Sequence, residues 1–486
     1  MTKSGYRPTI GVECHVQLKT KTKLFSGVNN DAREAPPNTL VSHIDFGLPG
    51  ALPVLNREAI HLASKAAFAL NSSPQPFSKF DRKHYFYPDL PMGYQISQYD
   101  EPIIIGGSVD IEVDGQIKTI GITRAHLEAD AGKSIHPSGQ NYSLVDLNRC
   151  GTPLLEIVSQ PDLNSAQEAK AFAHELYLAM RYADVSEADL YYGNMRFDVN
   201  VSVSNNDQLG IRTETKNLNS FRSVEKAVEY EVKRQIELLE KGQPITQETR
   251  GWDDAKQKTF LQRTKENADD YRYMPDPDLP PVVLSQEYID KVAAEMPVMP
   301  NQWRAKLKSL ELSSSQIETL LDAEVDLAHI NYLSLIDKVK DQPKTAKFLA
   351  NWFVNLEIPL QRERKGAKLE DKQRLEIYRE VDRLYTSKLL SSTNVKILLI
   401  DLLSSKDQPD NIEKYAADQG LTQSSDENEL GQIVSRVIKD NPKAAQDVAS
   451  GEAKAIGFLI GQVMKLSQGK ANPTTTQDII KKQLGL

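Results

Sequence analysis

The stretch GVECHVQL, residues 11–18, sets a carboxylate and an imidazole inside apolar text. It reads as a strand. Successive side chains of a strand alternate between faces, so Glu13, His15 and Gln17 share one side and Val12, Cys14 and Val16 the other. Further acids are embedded in the same way: Glu128 and Asp130 in HLEADAGK, Glu156 in GTPLLEIVSQPD, Asp198 and Asn200 in NMRFDVNVSV, and Glu214 in TETKNLN. Burying one isolated carboxylate is costly, and burying several together demands cations to neutralise them. Carboxylate oxygens with one imidazole suit Mg2+ or Mn2+ better than zinc. Taken singly, each acid also has a plain account. Glu13 and His15 fit a solvated strand face as well as a site, and Asp198 and Asn200 fit alternation in a half-exposed strand. A surface position beside Lys216 is the favoured reading for Glu214, and a cap on the turn before Gly132 is favoured for Asp130.

Basic and aromatic groups accompany these acids. FDRKHYFYPDLPMGYQIS (80–97) gathers Arg82, Lys83, His84 and several tyrosines. It lines a phosphate site or channel on one reading and packs as a structural loop on the preferred one. KNLNSFRS (216–223) leads into a helix with Ser220 or Ser223 as its cap, and a helix N-terminus near Lys216 and Arg222 favours anions. Cys14 projects away from Glu13 and His15, which disfavours a Cys–His nucleophile pair and favours a buried structural thiol. DAGKS (130–134) imitates the end of a phosphate-binding loop, but Leu127 stands where the first glycine is required. The sequence contains neither GxGxxG nor HExxH, so a nucleotide must be held by another scheme.

The elements that must position these groups fall into two styles. Up to about residue 280 the text is strand-rich, including a hairpin signal in VDIEVDGQIKTIGI around Asp114-Gly115 and helical patterns at 165–182 and 221–242. The proline-rich segment 271–284 reads as an ordered boundary loop. From about 296 onward the pattern is helical, with a polar break at 404–411. The expected fold class is α+β followed by two all-α parts, with domains at 1–295, 296–408 and 409–486. Hydrophobic residues make up 40% of the 486, enough for sizeable cores, and the net charge of −8 excludes a protein that coats nucleic acid by bulk positive charge. A local basic footprint is still allowed. Two cysteines, no apolar N-terminal region and no run long enough to span a membrane place the chain in the cytoplasm as an expectation.

Together GVECHVQL, GLPGALPVLN, FDRKHYFYPDLPMGYQIS, HLEADAGKSIH, DLNRCGTPLLEIVSQPD, KNLNSFRSVEKAVEYEVKRQ, QETRGWDD and DDYRYMPDPDLPP resemble, in order, the B subunit of the aspartyl/glutamyl-tRNA amidotransferase. The tail GFLIGQVMKLSQGKANP is similar to that family's tRNA-binding tail. The resemblance implies a glutamine-synthetase-like cradle domain, a helical domain and a small helical tail. It implies ATP- and Mg2+-dependent phosphorylation of the side-chain carboxylate of Glu-tRNA(Gln) or Asp-tRNA(Asn). Ammonia from a partner amidase (A) subunit then gives the amide, with a small C subunit completing the assembly. Metal positions carried over are Glu13, His15, Glu128, Glu156, Asp198 and Glu214, with Glu13, His15, Glu128 and Glu156 also catalytic. Nucleotide contacts are expected at Arg196, Lys216, Asn217 and Arg222.

The chain also departs from the family. Where many members place zinc-binding cysteines it reads SGVNN and SHIDF, so zinc is not expected. Met92 stands where relatives often have Lys, and Ala129 where they often have Glu, which suggests an uncharged ammonia path. Phe197 and Val199 replace smaller residues, which suggests local repacking behind Asp198. Two alternatives remain: a stand-alone ligase of glutamine-synthetase type acting on a small carboxylate, and a non-catalytic tRNA-binding scaffold. The helical tail argues against the first, and the intact acidic set argues against the second.

Overall fold

The computed structural model describes residues 5–264, 271–423, 427–450, 453–467, 471 and 473–486. Within the tail motif 457–473, residues 468–470 and 472 lie outside the described residues. The chain divides into two compact units, Met1–Gln302 and Trp303–Leu486. The first is mixed α/β around a large sheet and the second is helical.

The first unit is organised by a nine-stranded sheet. Its central strand is Arg7–Gln17, flanked by Met195–Ser204 on one side and Pro153–Ser159 on the other. Outward from Met195–Ser204 come Thr213–Leu218, Glu248–Asp253 and Lys258–Thr264; outward from Pro153–Ser159 comes Gln116–Ala129, which pairs with Ile104–Ile105 and Ser108–Val113. Among the described residues only Thr213–Leu218 and Glu248–Asp253 run parallel. The hairpin between Ser108–Val113 and Gln116–Ala129 turns at Asp114 (φ 52°) and Gly115 (φ 76°). Both residues are left-handed, as a two-residue type I′ turn requires.

Alternation along the strands divides the sheet into two faces. Val12, Cys14 and Val16 join Phe197, Val199, Leu155, Ile157 and Leu127 in one continuous core. Helices Arg57–Ala69, Ala166–Tyr182 and Phe221–Glu240 contribute Ala63, Phe172, Leu176, Val224 and Val228 to it. Ser165 and Ser220 cap the second and third of these helices through their hydroxyls, and Gly242 (φ 70°) follows the end of the third.

The 271–284 segment is ordered, but it does not form the boundary. Met274–Pro275 pairs with Asp81–His84 and Val282–Val283 with Phe77–Ser78, and Asp276 holds Arg82 at 2.7 Å. These pairings keep the segment inside the first unit, which ends some twenty residues later. In the helical unit, Tyr332, Phe353 and Tyr378 pack edge to face. Leu430, Val434, Leu459, Val463 and Ile480 form a separate core among the last helices. Among the described residues no helix is long and apolar enough to cross a membrane.

One buried carboxylate fastens the three strands at the sheet's edge. Glu231, on the Phe221–Glu240 helix and fully buried, accepts from Thr213 Oγ1 at 2.8 Å and Arg234 Nη2 at 2.7 Å. It also accepts from Thr259 Oγ1 and faces Arg250 Nε at 3.1 Å. Burial pushes its carboxyl up, but these donors outweigh burial and hold it below the usual range. Removing one member of such a buried pair strands the other charge. Glu231→Gln is therefore expected to lower unfolding free energy by about 3 kcal/mol in denaturant titration. Glu229→Gln, on the exposed face of the same helix, is expected to change it by less than about 0.5 kcal/mol.

Candidate active site

Strand register decides which acids meet. On the face opposite the core, His15 lies across from Glu156 and Glu156 from His126. Glu13 lies across from Asp198, and Asn200 from Glu214. Residues directly opposite in antiparallel strands share a face, so segments distant in sequence converge. They form two trios, His15–Glu128–Glu156 and Glu13–Asp198–Glu214, each with its candidate ligand atoms within 4.8 Å of one another. The solvated-face and surface readings of Glu13, His15, Asp198 and Glu214 give way to a cluster.

The electrostatics of the two trios differ. His15 Nε2 stands 3.5 Å from Glu156 Oε2. Burial pushes the His15 imidazole down, but Glu156 and the neighbouring carboxylates outweigh it and raise it to about 9. Burial likewise pushes Glu156 up, yet His126 and His15 hold it well below the usual carboxylate range. His126 Nε2 lies 3.6 Å from Glu156 and 3.8 Å from Glu128. In the second trio, Lys216 Nζ is 2.7 Å from Asp198 and 3.1 Å from Glu214. Burial, then Glu156, push the Glu13 carboxyl up against the pull of Lys216. Three acids against one ammonium is a donor set short of positive charge, and all-oxygen donors fit a hard divalent cation. The second trio thus fits the donor chemistry of a Mg2+ ion, while the first sets one imidazole beside two carboxylates. Cys14, packed on the far face, has its thiol pushed well up by burial and remains a structural thiol.

All members of the two trios except Asp198 line one cavity of about 680 Å³, together with Lys83, Arg124 and Lys216. Its aromatic wall is tight: Tyr99 stacks on Tyr273 at 4.0 Å, Arg124 lies over Tyr99 at 5.3 Å and Lys83 over Tyr271 at 4.9 Å. The 80–97 segment is therefore more than a structural loop, because Asp81–His84 is a strand that delivers Lys83 to the cavity. Arg124, Tyr271 and Tyr273, which line the cavity, and His126, buried beside Glu156 and Glu128, are residues that sequence reasoning missed. A signal for them exists: Arg124, His126 and Glu128 alternate along one strand, and Tyr271 and Tyr273 are likewise spaced by two.

Some expectations need correction. Asp130 does not cap the turn before Gly132; its Oδ2 takes Arg196 Nη2 at 3.0 Å and Gln17 Nε2 at 3.2 Å. Arg196 accordingly lines a second cavity beyond Asp130, whereas Lys216 lines the first and Asn217 lines both. Arg222 is exposed on the first helical turn and lines neither. Met92 and Ala129 share the lining of a small pocket beside Asp130, and Phe197 and Val199 are fully buried behind Asp198.

Lys216 is the ammonium on which the second trio relies. Lys216→Met leaves Glu13, Asp198 and Glu214 facing one another, which raises their folded-state carboxyls above the unfolded values. Stability associated with such raised groups is present at low pH and is lost as pH rises through the folded-state range. The variant is expected to lose about 3 kcal/mol relative to the parent at pH 7.5, and less at pH 5, in urea titrations at both pH values. Added Mn2+ is expected to restore part of the difference.

The pattern of the GatB/GatE catalytic domain matches residues 8–290, and that of the GatB domain matches residues 334–484. The B subunit of the aspartyl/glutamyl-tRNA(Asn/Gln) amidotransferase of Caldicellulosiruptor bescii is 42% identical over 486 residues, covering 99% of both chains. The protein of the same name from Thermotoga maritima is also 42% identical over 486 residues, again 99% of both. The Coxiella burnetii one is 44% identical over 484 residues, 99% of this chain and 100% of the relative. Similarity of this extent, over the strands that carry both trios and over the helical unit, means that the chain belongs to the family of aspartyl/glutamyl-tRNA amidotransferase B subunits.

Proposed function

We propose that this chain is the ATP-dependent, carboxylate-activating subunit of a tRNA amidotransferase, acting on Glu-tRNA(Gln), Asp-tRNA(Asn) or both. The observation that carries the reading is the convergence of five carboxylates and His15 on one sheet face, with Lys83, Lys216 and Arg124 around them. In the proposed reaction an oxygen of the substrate's side-chain carboxylate attacks the γ-phosphorus of ATP and ADP leaves. Ammonia then attacks the acyl carbon and phosphate leaves, giving the side-chain amide. The nucleophile belongs to the substrate, so no protein Ser or Cys is required, consistent with Cys14 on the opposite face.

Glu13, His15, Glu128, Glu156, Asp198 and Glu214 would hold Mg2+. Bound there, Mg2+ would neutralise phosphate charge and align the attacking oxygen. Lys83 and Arg124 offer fixed positive charge to the transferring phosphoryl group, and the stacked Tyr99–Tyr273 pair offers an aromatic surface to a base. Lys216 and the backbone N–H of Asn217, 2.7 and 2.8 Å from Asp198, orient that carboxylate. Nucleotide contact is proposed for Lys216, Asn217 and Arg196, the last through the second cavity.

The reading extends to the whole chain. The cradle is proposed to be glutamine-synthetase-like; the proposed division at 409 is supported by the separate core of the last helices, and the one proposed at 296 falls close to the end of the first unit at Gln302. Partners are an amidase (A) subunit supplying ammonia and a small C subunit, all in the cytoplasm. No zinc is proposed at the 26–30 and 42–46 loops. There Ser26 and Ser42 bond to Asp45, and Lys23 Nζ lies 3.5 Å from the same carboxylate. Met92 and Ala129 leave the proposed ammonia path uncharged on that side.

Two measurements test this. With the assembled subunits, ATP, Mg2+, glutamine and Glu-tRNA(Gln), Glu128→Gln is expected to reduce Gln-tRNA formation about 100-fold or more with assembly intact by gel filtration. Unchanged turnover would remove Glu128 from the metal site. Deleting residues 411–486 is expected to weaken tRNA binding while sparing any tRNA-independent glutaminase activity; unaltered affinity would give the tail another role.

A further inference from the structure

We infer that Tyr271 and Tyr99 are positioning residues for the phosphoryl-transfer step, seating the Lys83 ammonium and the Arg124 guanidinium on ring faces and thereby keeping both cations off the neighbouring carboxylates. The inference rests on the phosphoryl-transfer reading above and deepens it. Two kinds of cation share the acid-lined cavity. Lys216 is committed, with Asp198 at 2.7 Å and Glu214 at 3.1 Å. Lys83 and Arg124 are not: neither forms a side-chain ion pair among the described residues, and Arg124 Nε is buried without a hydrogen-bond partner. Lys83 Nζ lies instead over the Tyr271 ring at 4.9 Å and the Tyr85 ring at 5.9 Å, and Arg124 lies over Tyr99 at 5.3 Å.

The rings form a continuous chain along the cavity wall. Tyr87 meets Tyr85 at 5.9 Å, Tyr85 meets Tyr271 at 6.1 Å and Tyr271 meets Tyr273 at 6.2 Å, each edge to face, and Tyr273 stacks on Tyr99 at 4.0 Å. Two segments distant in sequence supply these rings, and cross-ties fix the segments to each other. Met274 pairs with Arg82, Arg82 holds Asp276 at 2.7 Å and Asp278 at 2.8 Å, and His84 Nδ1 donates to the Arg272 carbonyl at 3.0 Å. Lys83 is thus flanked on its own strand by two residues tied to the segment that brings its ring. Arg272, between Tyr271 and Tyr273, is left-handed (φ 45°). That conformation costs energy for a residue with a side chain and persists only where the surroundings enforce it.

A ring face attracts a cation through its quadrupole but carries no net charge, so it fixes the cation without cancelling it. A carboxylate does the opposite. Burial pushes the Lys83 ammonium down, and Glu128, ahead of Tyr273 and Glu156, outweighs burial and raises it. Glu128 is therefore the acid on which a freed Lys83 would settle. A Lys83–Glu128 pair would remove one donor from the first trio and one cation from the transferring phosphoryl group at the same time. The rings prevent that loss, leaving the acids for a divalent cation and the cations for phosphate oxygens.

The test is a double-mutant cycle on the assembled enzyme, read by Mn2+ binding in electron paramagnetic resonance titrations and by ADP release with Glu-tRNA(Gln). Tyr271→Leu is expected to weaken Mn2+ binding about tenfold. At saturating Mg2+ it is expected to lower kcat for ADP release about tenfold, with KM for Glu-tRNA(Gln) unchanged. Tyr271→Phe is expected to preserve both. In the Lys83→Met background, Tyr271→Leu is expected to leave Mn2+ affinity where Lys83→Met alone sets it, because no ammonium remains to occupy Glu128. A ring that only supports the fold would weaken binding in either background. Equal weakening in both backgrounds, or parental Mn2+ affinity in Tyr271→Leu, would overturn the inference. If Tyr271→Leu does not assemble, Tyr99→Leu with and without Arg124→Met runs the same cycle on the other cation, and the same outcomes decide. If Tyr271→Leu releases ADP at the parental kcat, the positioning role fails while the phosphoryl-transfer reading stands; if the parent releases no ADP with Glu-tRNA(Gln), that reading itself fails.

Discussion

Mutual repulsion among five carboxylates on one face of a sheet is the constraint that the rest of the first unit must satisfy. Two carboxylates within 5 Å repel by roughly 3–4 kcal/mol at an effective dielectric near 20, and each trio sets its members that close. Left alone, such a group would relax by taking up protons or by moving apart. Three cations oppose this: the Lys216 ammonium on the second trio, the His15 ring on Glu156, and Lys83 on the cavity wall. The compensation is incomplete for Glu13, whose carboxyl is pushed up. Incomplete neutralisation is what a site for a divalent cation requires, because a fully paired set would have no affinity to spare.

Holding charges against repulsion requires a stiff support, and the strands supply it from the opposite face. Each acid-bearing strand also buries a row of apolar side chains, so displacement of Glu13 or Asp198 would drag Cys14 or Val199 through a packed core. Toward the sheet's edge the apolar row thins and a polar fastening replaces it. There Glu231 and Gln235 reach from the helix to Thr213, Thr259 and Arg250. Thr213 directly precedes Glu214, so a buried ion pair on the core side sets the position of a trio carboxylate on the cavity side. The two faces are mechanically one object.

Much of this was legible in the sequence, because the relevant period is two. Alternation in GVECHVQL placed Glu13 and His15 together and expelled Cys14; embedded acids elsewhere marked the other members of the two trios; Asp114-Gly115 marked the hairpin. What alternation cannot supply is register between strands distant in sequence. That is why Asp130, an acid in identical apolar text, looked like a turn cap and is in fact the partner of Arg196. The same gap hid Arg124 and His126, which gain meaning only once Glu156 is paired across from His126. Arg222 shows the converse error: proximity in sequence to Lys216 and to a helix start suggested a ligand contact, but the first turn of the helix carries it outward. Segment 271–284 looked like a boundary because prolines interrupt periodic patterns. Its short pairings with Asp81–His84 and Phe77–Ser78 are long-range contacts that no local rule contains.

Charge segregation across the sheet face resolves an apparent conflict in the chemistry. An acid-lined cavity attracts metal ions but repels nucleic acid, and a chain with net charge −8 offers tRNA no general attraction. A site that must handle both therefore has to separate the phosphate backbone from the reacting carboxylate. The border runs through neighbouring positions of one strand: Arg196 turns its charge toward Asp130 and lines the second cavity, while Asp198, two residues on and on the same face, belongs to the trios. Because side chains two apart in a strand lie roughly 6–7 Å from each other, the change of sign occurs within the reach of a single amino-acid side chain. That distance fits a substrate whose polyanionic carrier and reactive carboxylate are joined by one ester-linked residue. A small free carboxylate would have no use for the basic side of the border, which is the physical reason to prefer a nucleic-acid-borne substrate over a stand-alone ligase reaction.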